Sequence, residues 1–202
     1  MSMFWQGAVA GLAIAVPVGP IAVLIVDRGI RNGWADALAA GLGTASADLF
    51  YAAAAVTLGA ASAELLAPVT TPLRVAAVVV LIAIAARNLA RALRPANDDA
   101  PDVRASAPLR TFATFLGLTV LNPVTIVYFA SLVIGLDVGD AAPEAKVAFV
   151  AGAGGASAAW QTALATGGAW AGARLDDRVR RATSVAGSVV ILVLALRTAL
   201  SV

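Results

Sequence analysis

Asp48 is the residue around which chemistry can be built. It lies inside an apolar run from about Ala37 to Ala61, and a carboxylate at mid-bilayer costs about 2.5–3.5 kcal/mol on insertion scales. No Lys or Arg occupies the central part of any other apolar run, so a permanent internal salt bridge is not expected. The side chain must then be protonated, solvated by a cavity or paired with a transported cation. The competing reading is a neutral acid held by hydrogen bonds. Two interruptions of apolar runs add to it. Pro17, Gly19 and Pro20 break the first run, because each proline removes an amide donor and clashes with the preceding turn. At membrane depth such a break needs protein or a wet cavity to satisfy the freed carbonyls. A half-helix starting near Pro20 would aim free N–H groups inward, where they suit a carboxylate or another anion. Asn122-Pro123 forms the second break; Asn is a good helix cap, and its amide could otherwise line a cavity. For each break the alternative is a plain packing kink. Gln161, beside Trp160, is a further candidate for the cavity wall, while Ser46, Ser157 and Thr119 read as cross-helix hydrogen bonders.

Composition restricts what else these residues can serve. Of 202 residues, 60% are hydrophobic and 13% charged, with a mean hydropathy of +0.88; a soluble domain carries roughly 25% charged residues. Too little polar surface is left for a water-soluble fold. Histidine and cysteine are both absent. That excludes thiolate chemistry, disulfides, zinc sites with those ligands and c-type haem, and it leaves proton coupling to carboxylates. No cofactor is implied, and the chain does not read as an enzyme.

The elements that must position these residues are membrane helices, each needing about 20 mostly apolar residues. Six runs qualify: Phe4 to Val26, Ala37 to Ala61, Thr71 to Ala90, Thr111 to Leu136, Val147 to Gly172 and Thr183 to Leu200. The expected fold is all-α, a polytopic membrane protein whose outer face meets membrane lipids. The first run has no basic stretch before it and is long enough to span, so it reads as a retained helix rather than a cleavable leader. Arg28 and Arg31, then Arg87, Arg91, Arg94, Arg104 and Arg110, then Arg174, Arg178, Arg180 and Arg181 make 11 of the 14 basic residues. They are assigned to one side, which the positive-inside rule makes cytoplasmic, with both termini outside. This confinement marks topology, not a nucleic-acid footprint.

The polar stretch 91–110 divides two sets of three runs. Residues 1–90 form the first expected repeat, 91–110 a cytoplasmic linker and 111–202 the second repeat. Gly11-Leu12 stands six residues before Pro17, as Gly117-Leu118 stands before Pro123, and Gly41 to Ala47 resembles Gly152 to Ala158. An odd number of spans per half makes the repeat inverted, the arrangement of many secondary transporters. On this alignment Ala159 stands opposite Asp48. With 50 alanines and 18 glycines, close approach of small faces must hold the bundle. Gly7/Gly11, Gly41/Ala45 and Gly168/Gly172 have the spacing for packing inside the chain, or for a homodimer face.

Pro17-Val18-Gly19-Pro20, the following Asp27-Arg28-Gly29-Ile30-Arg31, the small-residue run from Gly41 to Asp48, and Leu121-Asn122-Pro123 together resemble the LysE/RhtB superfamily of amino-acid exporters. The first motif is similar to its lysine/arginine branch, and the likeness covers essentially the whole chain. Val124 to Phe129 departs from the pattern. The resemblance implies efflux of amino acids or similar small solutes across the bacterial inner (plasma) membrane, driven by exchange or by a proton or sodium gradient. Two rivals are weighed against it. A metal-cation exporter needs several oxygen ligands, and only Asp48 is clearly intramembrane. A non-transport membrane enzyme or assembly factor would want a polar cluster at one face.

Overall fold

Proline and glycine set the ends of the first helices. The computed structural model describes residues 2–17, 19–58, 70–93, 107–122, 125, 128–129, 131, 133, 136, 138 and 141–200. Helix α1 (Met3–Ala15) stops short of Pro17, closed by the Val16 amide on the Leu12 carbonyl at 2.8 Å. Helix α2 (Pro20–Asn32) starts on a proline, whose missing N–H would have had no intrahelical partner there. Their axes differ by 80°. Gly33 then turns the chain at φ +83°, a conformation that side-chain-bearing residues rarely adopt, and α3 (Trp34–Leu58) follows. The remaining helices are α4 (Thr70–Leu93), α5 (Pro108–Val120), α6 (Pro143–Gly172) and α7 (Asp177–Leu200). Among the described residues every regular element is a helix and none is a strand.

Two expected spans are interrupted as expected, and their bounds are corrected. The run Phe4 to Val26 is two helices, and the second continues to Asn32 because nothing interrupts it before Gly33. Arg28 and Arg31 therefore lie on a helix and not in a loop. The run from Thr111 to Leu136 begins earlier, at Pro108, and its helix ends at Val120. Leu121 and Asn122 form a turn, with the Asn122 amide on the Thr119 carbonyl at 3.0 Å. Pro123 lies outside the described residues, as does most of the linker 91–110. By length and apolar character, α3 suffices to cross a membrane, and α1 with α2 does so if the bent pair is one span. Helix α4 contains a shorter apolar stretch, Val78–Ala90. Helix α6, at 30 residues, is about 45 Å long, but its Gly, Ser, Thr and Gln dilute its apolar character.

Packing combines close backbone contact with clusters of large buried side chains such as Phe115, Phe129 and Phe149. A Cβ added at Gly7 or Gly11 would lie 2.0 or 2.2 Å from the carbonyl oxygens of Phe149 and Ala153 in α6. One at Gly168 or Gly172 would strike Val26 and Ile30 in α2, and one at Gly41 would meet Gln161. All three small-residue pairs are thus used inside the chain. Helix α1 runs along α6 and α5 along α3, with matching detail. Gly152 faces the Phe4 carbonyl and Ala8 amide, as Gly43 faces the Phe112 carbonyl and Leu116 amide. Helix α3 packs on α6, and α4 on α7. Large apolar side chains such as Trp5, Val9, Phe50, Val147 and Val193 are exposed, whereas Asp27, Asp36, Asp48 and Gln161 are buried. Polar groups inside and apolar groups outside is the distribution suited to lipid rather than water.

Candidate functional site

Asp48 lies in the second half of α3, on the face that meets α6, and is 3% exposed. The Ser157 hydroxyl donates to its Oδ2 at 2.6 Å. No Lys or Arg pairs with it among the described residues. Of the three residues expected to bond across helices, only Ser157 does so. Ser46 and Thr119 return their hydroxyls to the carbonyls four residues earlier, Leu42 and Phe115, which is the usual outlet for such side chains in helices.

Gln161 follows Ser157 by one turn on the same face of α6. It is 4% exposed, packs against Gly41, and its Oε1 accepts no hydrogen bond among the described residues. The α3–α6 interface therefore buries a carboxylate, held by Ser157, and an amide oxygen one turn of α6 beyond that serine. Both are acceptors, so the pair favours a donor-rich or cationic guest. The indole N–H of Trp160 is also buried without a partner among the described residues.

The two breaks relate differently to this pair. Tyr51, one turn beyond Asp48, donates its hydroxyl to the Val120 carbonyl at the end of α5, so Asp48 stands close to the turn at Asn122. Tyr128, beyond that turn, donates to the Ala10 carbonyl of α1 at 3.0 Å. Pro17, Gly19 and Pro20 form the α1–α2 break as expected, yet no hydrogen bond among the described residues ties them to Asp48. Gly19 is extended at the start of α2 (φ −112°, ψ 179°), and a Cβ there would meet only the Pro17 carbonyl, at 4.0 Å. The backbone at this break is open to approach. A groove of about 260 Å³ between α2, α6 and α7 is lined by Val23, Val26, Asp27, Ile30, Leu164 and Thr183 among others; it includes none of the expected site residues.

A second polar cluster escaped the sequence reading. Asp36, near the start of α3, is fully buried. It accepts from Arg28 at 3.1 Å, from Asn32 at 3.0 Å and from Thr111 of α5 at 2.6 Å. Next to it Arg31 pairs with Asp27 at 3.3 Å and reaches Ser184 of α7. From sequence these arginines are expected to be loop charges that report topology. A signal was present, because Asp27 and Arg31 have the i,i+4 spacing of a helical ion pair, and Asp36 follows Arg28 closely across Gly33. Asp48 is therefore one of three buried acids among the described residues.

Comparisons with known proteins fit this all-helical chain. Residues 12–201 match the family described as LysE type translocator. A segment of 51 residues is 41% identical to YcgF of Bacillus subtilis (strain 168), a protein named for amino acid efflux. That segment is 25% of this chain and 24% of the relative, so the chain matches about a quarter of that protein's length. No solved structure matches the chain.

Proposed function

The chain belongs to the LysE type translocator family, and from that premise we propose a secondary active exporter of amino acids or closely related small solutes. The observation that carries the proposal is a buried carboxylate with one hydroxyl donor and no basic partner among the described residues. Such a group suits a substrate ammonium or a coupling proton better than it suits packing, because an apolar residue would fill the same space without the cost of burial. Ser157 then holds Asp48 between transport events, and the guest displaces it. The N-terminal amides of α2, freed at Gly19–Pro20, receive the substrate carboxylate.

The proposed architecture is six spans in two inverted repeats, residues 1–90 and 111–202, joined by a cytoplasmic linker at 91–110. It places the protein in the bacterial inner membrane with both termini outside. Support comes from the matched contacts of α1 on α6 and of α5 on α3. They pair Gly43 with Gly152, two residues away from the sequence alignment of Gly41 with Gly152. Carrying that offset along both helices sets Ser157, rather than Ala159, opposite Asp48. The two hydrogen-bonded residues would then be equivalents meeting at the axis between the repeats.

Flux in proteoliposomes tests the site, with gradient-driven efflux and exchange measured separately. If Asp48 binds the substrate, Asp48→Asn weakens export of cationic substrates and mostly spares neutral ones. If it carries the coupling proton, the same change abolishes gradient-driven efflux and leaves exchange partly intact. Wild-type flux in both modes would remove Asp48 from the mechanism. The substrate itself can be found by loading cells with dipeptides and measuring each retained amino acid by mass spectrometry, with and without the gene.

A further inference from the structure

The cluster around Asp36 has no part in the site just described, yet it spans both halves of the chain. Asp36 and Arg28 belong to the first half, while Thr111 and Ser184 belong to the second. Asp36 is fully buried, whereas the side chains of Arg28 and Arg31 are each 23% exposed. The acid thus sits beneath a rim of two arginines at one end of the bundle. Beyond Asp48 the packing is of another kind: Tyr51, Ala52, Ala55, Phe129, Val133 and Phe149 form an apolar cluster. One end joins the halves through bonds of charged side chains, and the other through two tyrosine hydroxyls on backbone carbonyls, Tyr51 on Val120 and Tyr128 on Ala10, set in the apolar cluster. Resting on the transport reading, we propose that the Asp36–Arg28–Thr111 network, with Arg31 on Ser184, is the gate on the arginine-bearing side. It latches the two halves together and releases when that side opens.

The geometry gives the latch its properties. Thr111 donates to one carboxylate oxygen of Asp36 and Arg28 with Asn32 to the other. Parting the halves therefore breaks the Thr111 and Ser184 bonds and leaves the Arg28–Asp36 pair within its own half. The carboxylate does not become an isolated charge, so the cluster can have two discrete states.

The chain contains no cysteine, so single introduced thiols report access cleanly. Ser188 is buried one turn beyond Ser184, to whose carbonyl it donates. Ala55 is buried in the apolar cluster. With the protein in lipid nanodiscs, Ser188→Cys should react slowly with a membrane-impermeant maleimide. Adding Thr111→Val or Asp36→Asn should raise that rate about tenfold, a shift in the population of the open state, while Ala55→Cys keeps its rate or slows. Thr111→Val removes one bond between the halves and leaves the Arg28–Asp36 pair intact, so it decides the matter if Asp36→Asn does not fold. Unchanged labelling of Ser188→Cys with Thr111→Val overturns the gate. So does an equal rise at Ser188→Cys and Ala55→Cys, because that is general loosening. The labelling needs no substrate, and a wild-type chain that exports nothing would count against the export reading separately.

Discussion

A carboxylate inside a helix bundle needs a donor, and Asp48 receives one from Ser157 at 2.6 Å. Removing that donor leaves a buried acceptor unsatisfied, which costs about 1–3 kcal/mol. Ser157→Ala should accordingly lower the unfolding midpoint in detergent, whereas Asp48→Asn, whose amide oxygen can still accept from Ser157, should be nearly neutral. A large loss for Asp48→Asn with none for Ser157→Ala would mean that the carboxylate is held by something else. The same reasoning separates the two acids of α3. Among the described residues Asp48 has a single hydroxyl donor, while Asp36 has three donors including a guanidinium. On the proposed reading the first is left for a guest, while the second is already paired on both oxygens.

Helices in this chain meet through glycine, and the close approaches are selective. A methyl group at Gly7 or Gly43 would lie 2.0 or 2.4 Å from a backbone carbonyl oxygen of the neighbouring helix. Backbone cannot move aside as a flexible side chain can, so Gly7→Ala and Gly43→Ala should each cost about 1–3 kcal/mol or more. At Gly155 nothing lies within 4 Å. Gly155→Ala should instead be neutral, or stabilising by up to about 1 kcal/mol through helix propensity. Thermal unfolding of the purified variants checks both directions, and similar losses at all three positions would refute the packing described for α1 on α6 and α5 on α3. The sequence alone offered each small pair two uses, internal packing or a homodimer face, since spacing carries no address. Only the neighbouring backbone distinguishes them.

At the scale of the whole molecule, an inverted repeat with an odd number of spans per half predicts a specific topology. Thiols introduced as Ser2→Cys and Ser201→Cys should label from outside intact spheroplasts, and Asp98→Cys only after the membrane is opened. Labelling of the two termini from opposite sides would end the six-span reading. Helix identity and the two interruptions were legible beforehand, because apolar runs, prolines and glycine act locally. The α1–α2 break falls where Pro17 and Pro20 put it, and α5 ends just before Asn122. Helix ends were less legible: α2 runs on through Arg28 and Arg31, whose charges suggested a loop until Asp27 and Asp36 were found beside them.

Taken alone, the sequence determined a helical, lipid-suited chain, the isolated acid at Asp48 and the resemblance to amino-acid exporters, since burial cost and backbone chemistry depend on residue type. Tertiary structure decided the partners: Ser157 for Asp48, Gln161 against Gly41, and Arg28 with Thr111 for Asp36. Apart from Arg28 and Asp36, eight residues from each other, those contacts join positions far apart in the chain, and which of several equivalent small or hydroxyl residues meets an acid depends on helix register, which no local pattern specifies.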